Sequence, residues 1–221
     1  MYDQQTSVQP LQASFMSQVM MYFGLAILSS AFGTYMGFQY IAPLIFATPA
    51  IMWLIIAVEL ILVLTSRWWS TKRPINYFLF ALFTFITGVT IVPLLANVIY
   101  EFGGPEIIIK ALVATTLMFS GTAIFGWVTK FDLSGLKGFL WISLIGMIIV
   151  AIIGVFIPWS STIEMVISGF GVVLFSGFTM YDMQKLKTYP QDRAIDAALN
   201  LYLDIFNLFI YILRLLSASR K

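Results

Sequence analysis

"NLYLDIFNLFIYILRLL", Asn200 to Leu216, is the stretch on which the reading of this chain turns. Almost every residue in it is apolar, yet Asp204 sits inside it with Asn200, Asn207, Tyr211 and Arg214. These polar positions are spaced by four, three, four and three residues. That spacing is one face of an α-helix. At 1.5 Å per residue the stripe is about 21 Å long, most of the depth of a hydrocarbon core about 30 Å thick. A charge at mid-bilayer costs about 2.5–3.5 kcal/mol on insertion scales. A helix with such a stripe is therefore expected in the centre of a helical bundle, ringed by the others.

Composition agrees with a lipid solvent. Of 221 residues, 60% are hydrophobic and 10% charged, and mean hydropathy is +0.94. An ordinary soluble domain is about 45–50% apolar and about 25% charged. There is no Cys and no His, which excludes disulfides, thiolate zinc sites, cysteine nucleophiles and any triad built on imidazole. A formal charge of +2, with no basic run carrying interleaved aromatics, argues against nucleic acid as a partner. The first 19 residues carry Asp3 but no Lys or Arg, so no positive n-region precedes the first apolar segment, and that segment is expected to be retained.

A spanning helix needs about 20 mostly apolar residues. Seven segments meet or approach this: Met20–Ile41, Leu44–Thr65, Ile75–Ala96, Ile107–Val128, Gly138–Ile157, Ile163–Met183 and Ala198–Leu216. The expected organisation is a polar tail (1–19), one all-α seven-helix transmembrane domain (20–216) and a short C-terminal tail (217–221). Arg67, Lys72 and Arg73, then Lys130 and Lys137, then Lys185, Lys187 and Arg193 fall in alternate connections. By the positive-inside rule these face the cytoplasm, with the N-terminus on the same side. Seven spans would leave Arg220 and Lys221 outside, against that rule, so either the seventh segment re-enters or the rule fails at this end; the clean helical pattern of the segment, without Gly or Pro, favours seven spans. The short tails suggest a bacterial plasma membrane protein.

Asp204 needs a partner. Asp182, in "FTMYDMQKLK" at the end of the sixth segment, enters from the same side and is expected at similar depth. Glu59 lies mid-way in "IIAVELILVL". Thr84, Thr87, Thr90, Thr115, Thr116 and Ser120 are further polar candidates. Two close carboxylates in a poorly solvated site resist ionising together and titrate as a unit. Sharing one proton closes the gap between them. Losing it drives them apart and leaves an anionic oxygen site suited to a hard cation such as Ca²⁺. Plainer readings stand beside this one. Asp204 could make a packing hydrogen bond, Asp182 could be a solvated charge near Lys185 and Lys187, and Glu59 could form a structural ion pair. Arg214 is expected to snorkel to the interface. "GTYMG", Gly33 to Gly37, reads as a close helix contact. Pro49, Pro93 and Pro158 should kink or end helices. Trp68, Trp69 and Trp159 read as an interfacial belt.

"LFSGFTMYDMQKLK", Leu174 to Lys187, and "ALNLYLDIFNLFIYILRLL", Ala198 to Leu216, closely resemble the last two helices of the Bax-inhibitor-motif family. "FTFITGVTIVPL", Phe83 to Leu94, resembles its third helix. The resemblance covers nearly the whole chain. It implies six helices around a central seventh and a pH-sensitive Ca²⁺ leak, with Asp182 and Asp204 as the pH-sensing latch and Ca²⁺ as cargo rather than cofactor. Glu59 matches the glutamate of the second helix. Some members carry an arginine about three turns after that glutamate; here the position is Ser70, with Arg67 and Arg73 as the nearest substitutes. The family's eukaryotic members are linked to suppression of cell death. Bacterial ones are linked to membrane stress and to membrane-protease regulation, which implies membrane-protein partners.

An enzyme is the sharpest rival. Intramembrane aspartyl proteases pair Tyr-Asp with Gly-x-Gly-Asp; "YD" at 181–182 fits, but "LYLD" before Asp204 carries no glycine. A proton-coupled exchanger would use the same acids as a relay, but would be expected to show paired halves. A partner-binding membrane regulator is the third reading, and it predicts that the acids are dispensable.

Overall fold

The computed structural model describes the backbone from Gln5 to Arg220 and side chains from Ser14 onward, so Lys221 lies outside the described residues. Those residues are overwhelmingly helical, with no strand among them. Six helical stretches are long and apolar enough to cross a membrane: Ser14–Ala47, Ile75–Phe102, Glu106–Val128, Leu136–Phe156, Ser161–Thr188 and Ala194–Ala218. A shorter apolar helix, Pro49–Leu64, lies between the first two.

The first boundary differs from the sequence expectation. Helix α1 (Gln5–Met36) continues through a π turn (Gly37–Ile41) into α2 (Ala42–Ala47). Pro43 falls in the first turn of α2, where a missing N–H costs little, so it does not end the helix. The break comes at Thr48, whose backbone (φ −137°, ψ 86°) leaves the helical region in front of Pro49. Leu44–Ala47 thus belong to the first stretch, not the second. Helix α3 (Pro49–Leu64) has 16 residues, about 24 Å, shorter than a typical hydrocarbon core.

Pro93 and Pro158 act as expected. Helix α5 (Ile75–Thr90) breaks at Ile91 and resumes as α6 (Val92–Phe102). Between α3 and α5 lies the single turn α4 (Ser66–Trp69). Helix α7 (Glu106–Val128) follows a turn in which Gly103 has φ +72°, a left-handed conformation suited to glycine. Helix α8 (Leu136–Phe156) ends two residues before Pro158. Helix α9 (Ser161–Lys185) is capped by Ser160, whose Oγ accepts from the Ile163 N–H at 3.4 Å. A 3₁₀ turn (Leu186–Thr188) leads to α10 (Ala194–Ala218).

The chain forms two compact units. The first comprises Met1–Asn97 with Thr188–Tyr202. Its backbone-to-backbone contact is α1 against α5, and glycine makes it close. A methyl group on Gly33 would strike the Phe85 carbonyl, and one on Gly88 the Ser30 carbonyl. Thr34 Oγ1 donates to Gly88 O at 2.9 Å across the same seam. "GTYMG" is thus a helix-contact motif, as its spacing predicts. The second unit comprises Val98–Lys187 with Leu203–Lys221. Here Gly126 of α7 lies against the Met180 backbone of α9, and Leu140 of α8 lies against Gly177 of α9.

The large exposed side chains are those that lipid solvates. On α8, Ile142, Ile145, Ile149 and Phe156 are all more than half exposed. By contrast α10 has no exposed residue from Ala194 through Leu213. One interfacial assignment is overturned. Trp69 is fully buried and its Nε1 donates to Leu62 O at 2.9 Å, because the α4 turn folds the ring back onto α3. Trp68 does stay exposed, with the Lys72 ammonium 3.5 Å from its ring centroid.

Candidate functional site

Asp204 lies in the second unit, 4% exposed. Its Oδ2 is buried with no hydrogen-bond partner among the described residues. Its acidic neighbour is Asp182 on α9. The two acids come together because α9 and α10 run antiparallel from a short connection. Asp182, unlike Asp204, is only partly buried. Among the described residues no group of three or more acidic, His or Cys side chains could hold a metal ion.

The rest of the predicted stripe behaves unevenly. Asn207 Nδ2 donates to Leu203 O of its own helix at 2.7 Å. The Tyr211 ring stacks on Phe175 of α9, centroids 5.6 Å apart, and covers Gly171, where a methyl group would strike it. Arg214 is exposed, as a snorkelling side chain would be. Asn200, in the first unit, donates to the Tyr189 hydroxyl at 3.4 Å.

The threonines are not partners of the aspartates. Thr84 bonds the Phe80 and Ala81 carbonyls, Thr115 the Ala111 carbonyl and Thr116 the Leu112 carbonyl, all on their own helices. Thr87 donates to Thr84 O and also meets the Tyr202 hydroxyl. Tyr202 is fully buried, with Phe83 edge-on to its ring. Ser30 of α1 reaches the same hydroxyl. Glu59 of α3 is partly buried, near both Tyr202 and the Thr90 hydroxyl. The first unit therefore holds its own intramembrane polar cluster, centred on Tyr202.

A second cluster ties the helix ends of the first unit. Asp196, in the first turn of α10, accepts from the Tyr189 hydroxyl at 2.6 Å and from Ser70 Oγ at 3.4 Å. Asn76 Nδ2 donates to Ser70 O at 3.0 Å. Arg67 and Arg73, the substitutes considered for the position of Ser70, are both exposed. The stripe itself could have disclosed Asp196, which stands four residues before Asn200 in the same periodicity. Tyr202 lies off the stripe, and nothing in the sequence singles it out.

Comparison with known proteins identifies the family. Residues 12–221 match the family described as "Inhibitor of apoptosis-promoting Bax1". An uncharacterised protein of Campylobacter jejuni is 32% identical over 202 residues, 91% of this chain and 87% of its own length. Bax inhibitor 1 of Schizosaccharomyces pombe is 35% identical over 144 residues, 65% of this chain and 52% of its own. The inner membrane protein YbhL of Escherichia coli is 31% identical over 179 residues, 76% of this chain and 74% of its own. With six long apolar helices and a match along nearly its whole length, this chain is an integral membrane protein of the Bax inhibitor family.

Proposed function

We propose that the protein is a pH-sensitive calcium leak, not an enzyme, gated by protonation of the Asp182–Asp204 pair. The observation that carries this reading is the Asp204 carboxylate, buried in an apolar helix with one oxygen unpartnered and a second carboxylate as its neighbour. A purely structural role would be filled at lower cost by a neutral amide, since insertion of an ionisable group costs about 2.5–3.5 kcal/mol. With one proton shared, the pair holds α9 and α10 together. Without it, like charges separate and present oxygen to a passing cation. Ca²⁺ and protons are then cargo and signal, and no cofactor is needed.

In this reading α10 is the central helix, α3 is the second of seven membrane-crossing helices despite its length, and the N-terminus is cytoplasmic. The absence of any exposed residue on α10 from Ala194 through Leu213 favours the first point, and the alternation of basic connections favours the last. The name of the E. coli relative favours a bacterial inner membrane. The name Bax inhibitor 1 and that of the vaccinia Golgi anti-apoptotic protein, 34% identical over 152 residues, connect the family to control of cell death. A bacterial counterpart would regulate membrane stress, with a membrane protease or another membrane protein as partner.

The test is flux in reconstituted liposomes containing a Ca²⁺ dye. The expected result is protein-dependent entry that rises as the pair loses its proton. No entry above empty liposomes at any pH would remove the leak and leave proton-coupled exchange or a binding role.

A further inference from the structure

Beyond the aspartates lies an aromatic pair, Phe175 of α9 and Tyr211 of α10. Phe175 is buried, and its ring stacks on Tyr211 at an interplanar angle of 18°. Phe175 also packs on Phe178 at 5.9 Å, and Phe178 meets Trp141 of α8 edge-on at 6.3 Å. Gly171 leaves the space that the Tyr211 ring fills. The Tyr211 ring is thus seated on Phe175 and Gly171 of α9, and Phe178 continues the aromatic contact from Phe175 to Trp141 of α8.

The position of Phe175 along α9 is specific. Asp182 lies seven residues to one side of Phe175, and Ser168 seven residues to the other. Ser168 and Ser176 are both buried, and the Oγ of each has no hydrogen-bond partner among the described residues. Buried hydroxyls in lipid-solvated helices ordinarily find a backbone or side-chain acceptor. Here unpartnered polar groups lie along α9 and α10 at the level of the ring pair and on both sides of it, Asp204 on one and Ser168 on the other. Polar groups left this way suit a route that water or a hydrated ion enters, and the ring pair interrupts it.

We infer that the Tyr211–Phe175 stack, seated on Gly171, is a second barrier on the cation route, a hydrophobic seal separate from the aspartate pair. It deepens the leak reading and rests on it for the identity of the ion. As a water seal it can be tested without it.

The chain has no cysteine, so single cysteines report accessibility without background. Thr179→Cys places a thiol between the seal and Asp182; Thr162→Cys, at an exposed position near the start of α9, marks the side. A small charged thiol reagent that cannot cross the bilayer is added to oriented vesicles on the Thr162 side. With Tyr211 intact, Thr179→Cys should stay unlabelled. Tyr211→Ala should open it to the reagent, as should Gly171→Ala by displacing the ring. Tyr211→Phe, which keeps the stack, should remain sealed. Each variant is checked for monodisperse elution, and Tyr211→Phe and Gly171→Ala decide the matter if Tyr211→Ala does not fold. In Ca²⁺ flux at the alkaline end, Tyr211→Ala should exceed wild type several-fold.

Equal labelling with and without the ring, or no labelling in any variant, overturns the seal. Labelling that follows the ring, with no Ca²⁺ flux from any variant, keeps the seal and removes the leak. Flux that follows the aspartates, with labelling indifferent to the ring, does the reverse.

Discussion

The stacked rings of Phe175 and Tyr211 lie 5.6 Å apart, and each residue stands seven positions from the aspartate of its own helix, Asp182 or Asp204, in opposite chain sense. One antiparallel register of α9 and α10 therefore accounts for both pairings. Seven residues of helix are about 10.5 Å, so the carboxylates and the rings form two levels of one interface. A rotation of α10 that separates the carboxylates would also move the Tyr211 ring.

The α1–α5 seam should tolerate no side chain at its glycines. Gly88→Leu would drive a side chain into the Ser30 carbonyl, and overpacking costs about 1–3 kcal/mol even where neighbours can adjust. Thermal unfolding of the purified protein in detergent should show a loss of several degrees, or no folded protein. Gly24→Ala, which meets nothing within 4 Å, should leave the midpoint unchanged or raise it, since alanine favours helix by roughly 1 kcal/mol. Equal behaviour of the two variants would mean that α1 and α5 do not pack through these glycines.

Tyr202 should be the most sensitive polar side chain of the first unit. Tyr202→Phe removes a hydroxyl that Thr87 and Ser30 both meet, and Thr87 retains the Thr84 carbonyl. The cost should stay near 0.5–1.5 kcal/mol, about that of one ordinary hydrogen bond. Tyr202→Ala also empties a fully buried ring site and should cost about 3–5 kcal/mol. A melting series in which the two variants match would show that the ring contributes no packing.

Several of these features are legible in the sequence, and others are not. The α10 stripe, its aspartate, the acid in α9 and the glycine contact at Gly33 all follow from period and spacing. The break at Thr48 is harder to read, because a π turn upstream lets Pro43 pass as a first-turn residue. Trp69 looks like an interfacial aromatic because it stands at a segment end, yet the α4 turn buries it. Tyr202 meets Thr87 across 115 residues, and no local pattern announces so distant a pairing. The Tyr211–Phe175 stack is of the same kind. Each residue alone reads as ordinary apolar filling or as part of a polar stripe.

The Tyr189–Asp196 contact should hold the start of α10. Its 2.6 Å bond is of the strong, charge-assisted type, about 1.5–3 kcal/mol when well buried and less here because Asp196 is partly exposed. Hydrogen exchange in the first turn of α10 should quicken in Tyr189→Phe and in Asp196→Asn to a similar degree, and no further in the double variant. Additive effects would show that the two side chains act separately.

Asp132 supplies a control for pH. It lies in the α7–α8 connection, where the Ser134 N–H bonds its carboxylate at 2.9 Å and holds its pKa below the usual aspartate value. A carboxyl held low favours the folded state above the unfolded aspartate pKa of about 3.9, and that contribution fades as pH falls through the folded value. This window is far from neutrality. Asp132→Asn should therefore leave any pH response of Ca²⁺ flux near neutral pH unchanged, as liposome assays of the variant would check.

In the proposed function the buried Asp204 carboxylate makes a cation leak answer to pH. Ca²⁺ entry into proteoliposomes is measured for wild type and Asp204→Asn across roughly pH 6 to 8. Flux should rise with pH in the wild type and show a flat or displaced profile in the variant. An identical pH profile in the two proteins would contradict it.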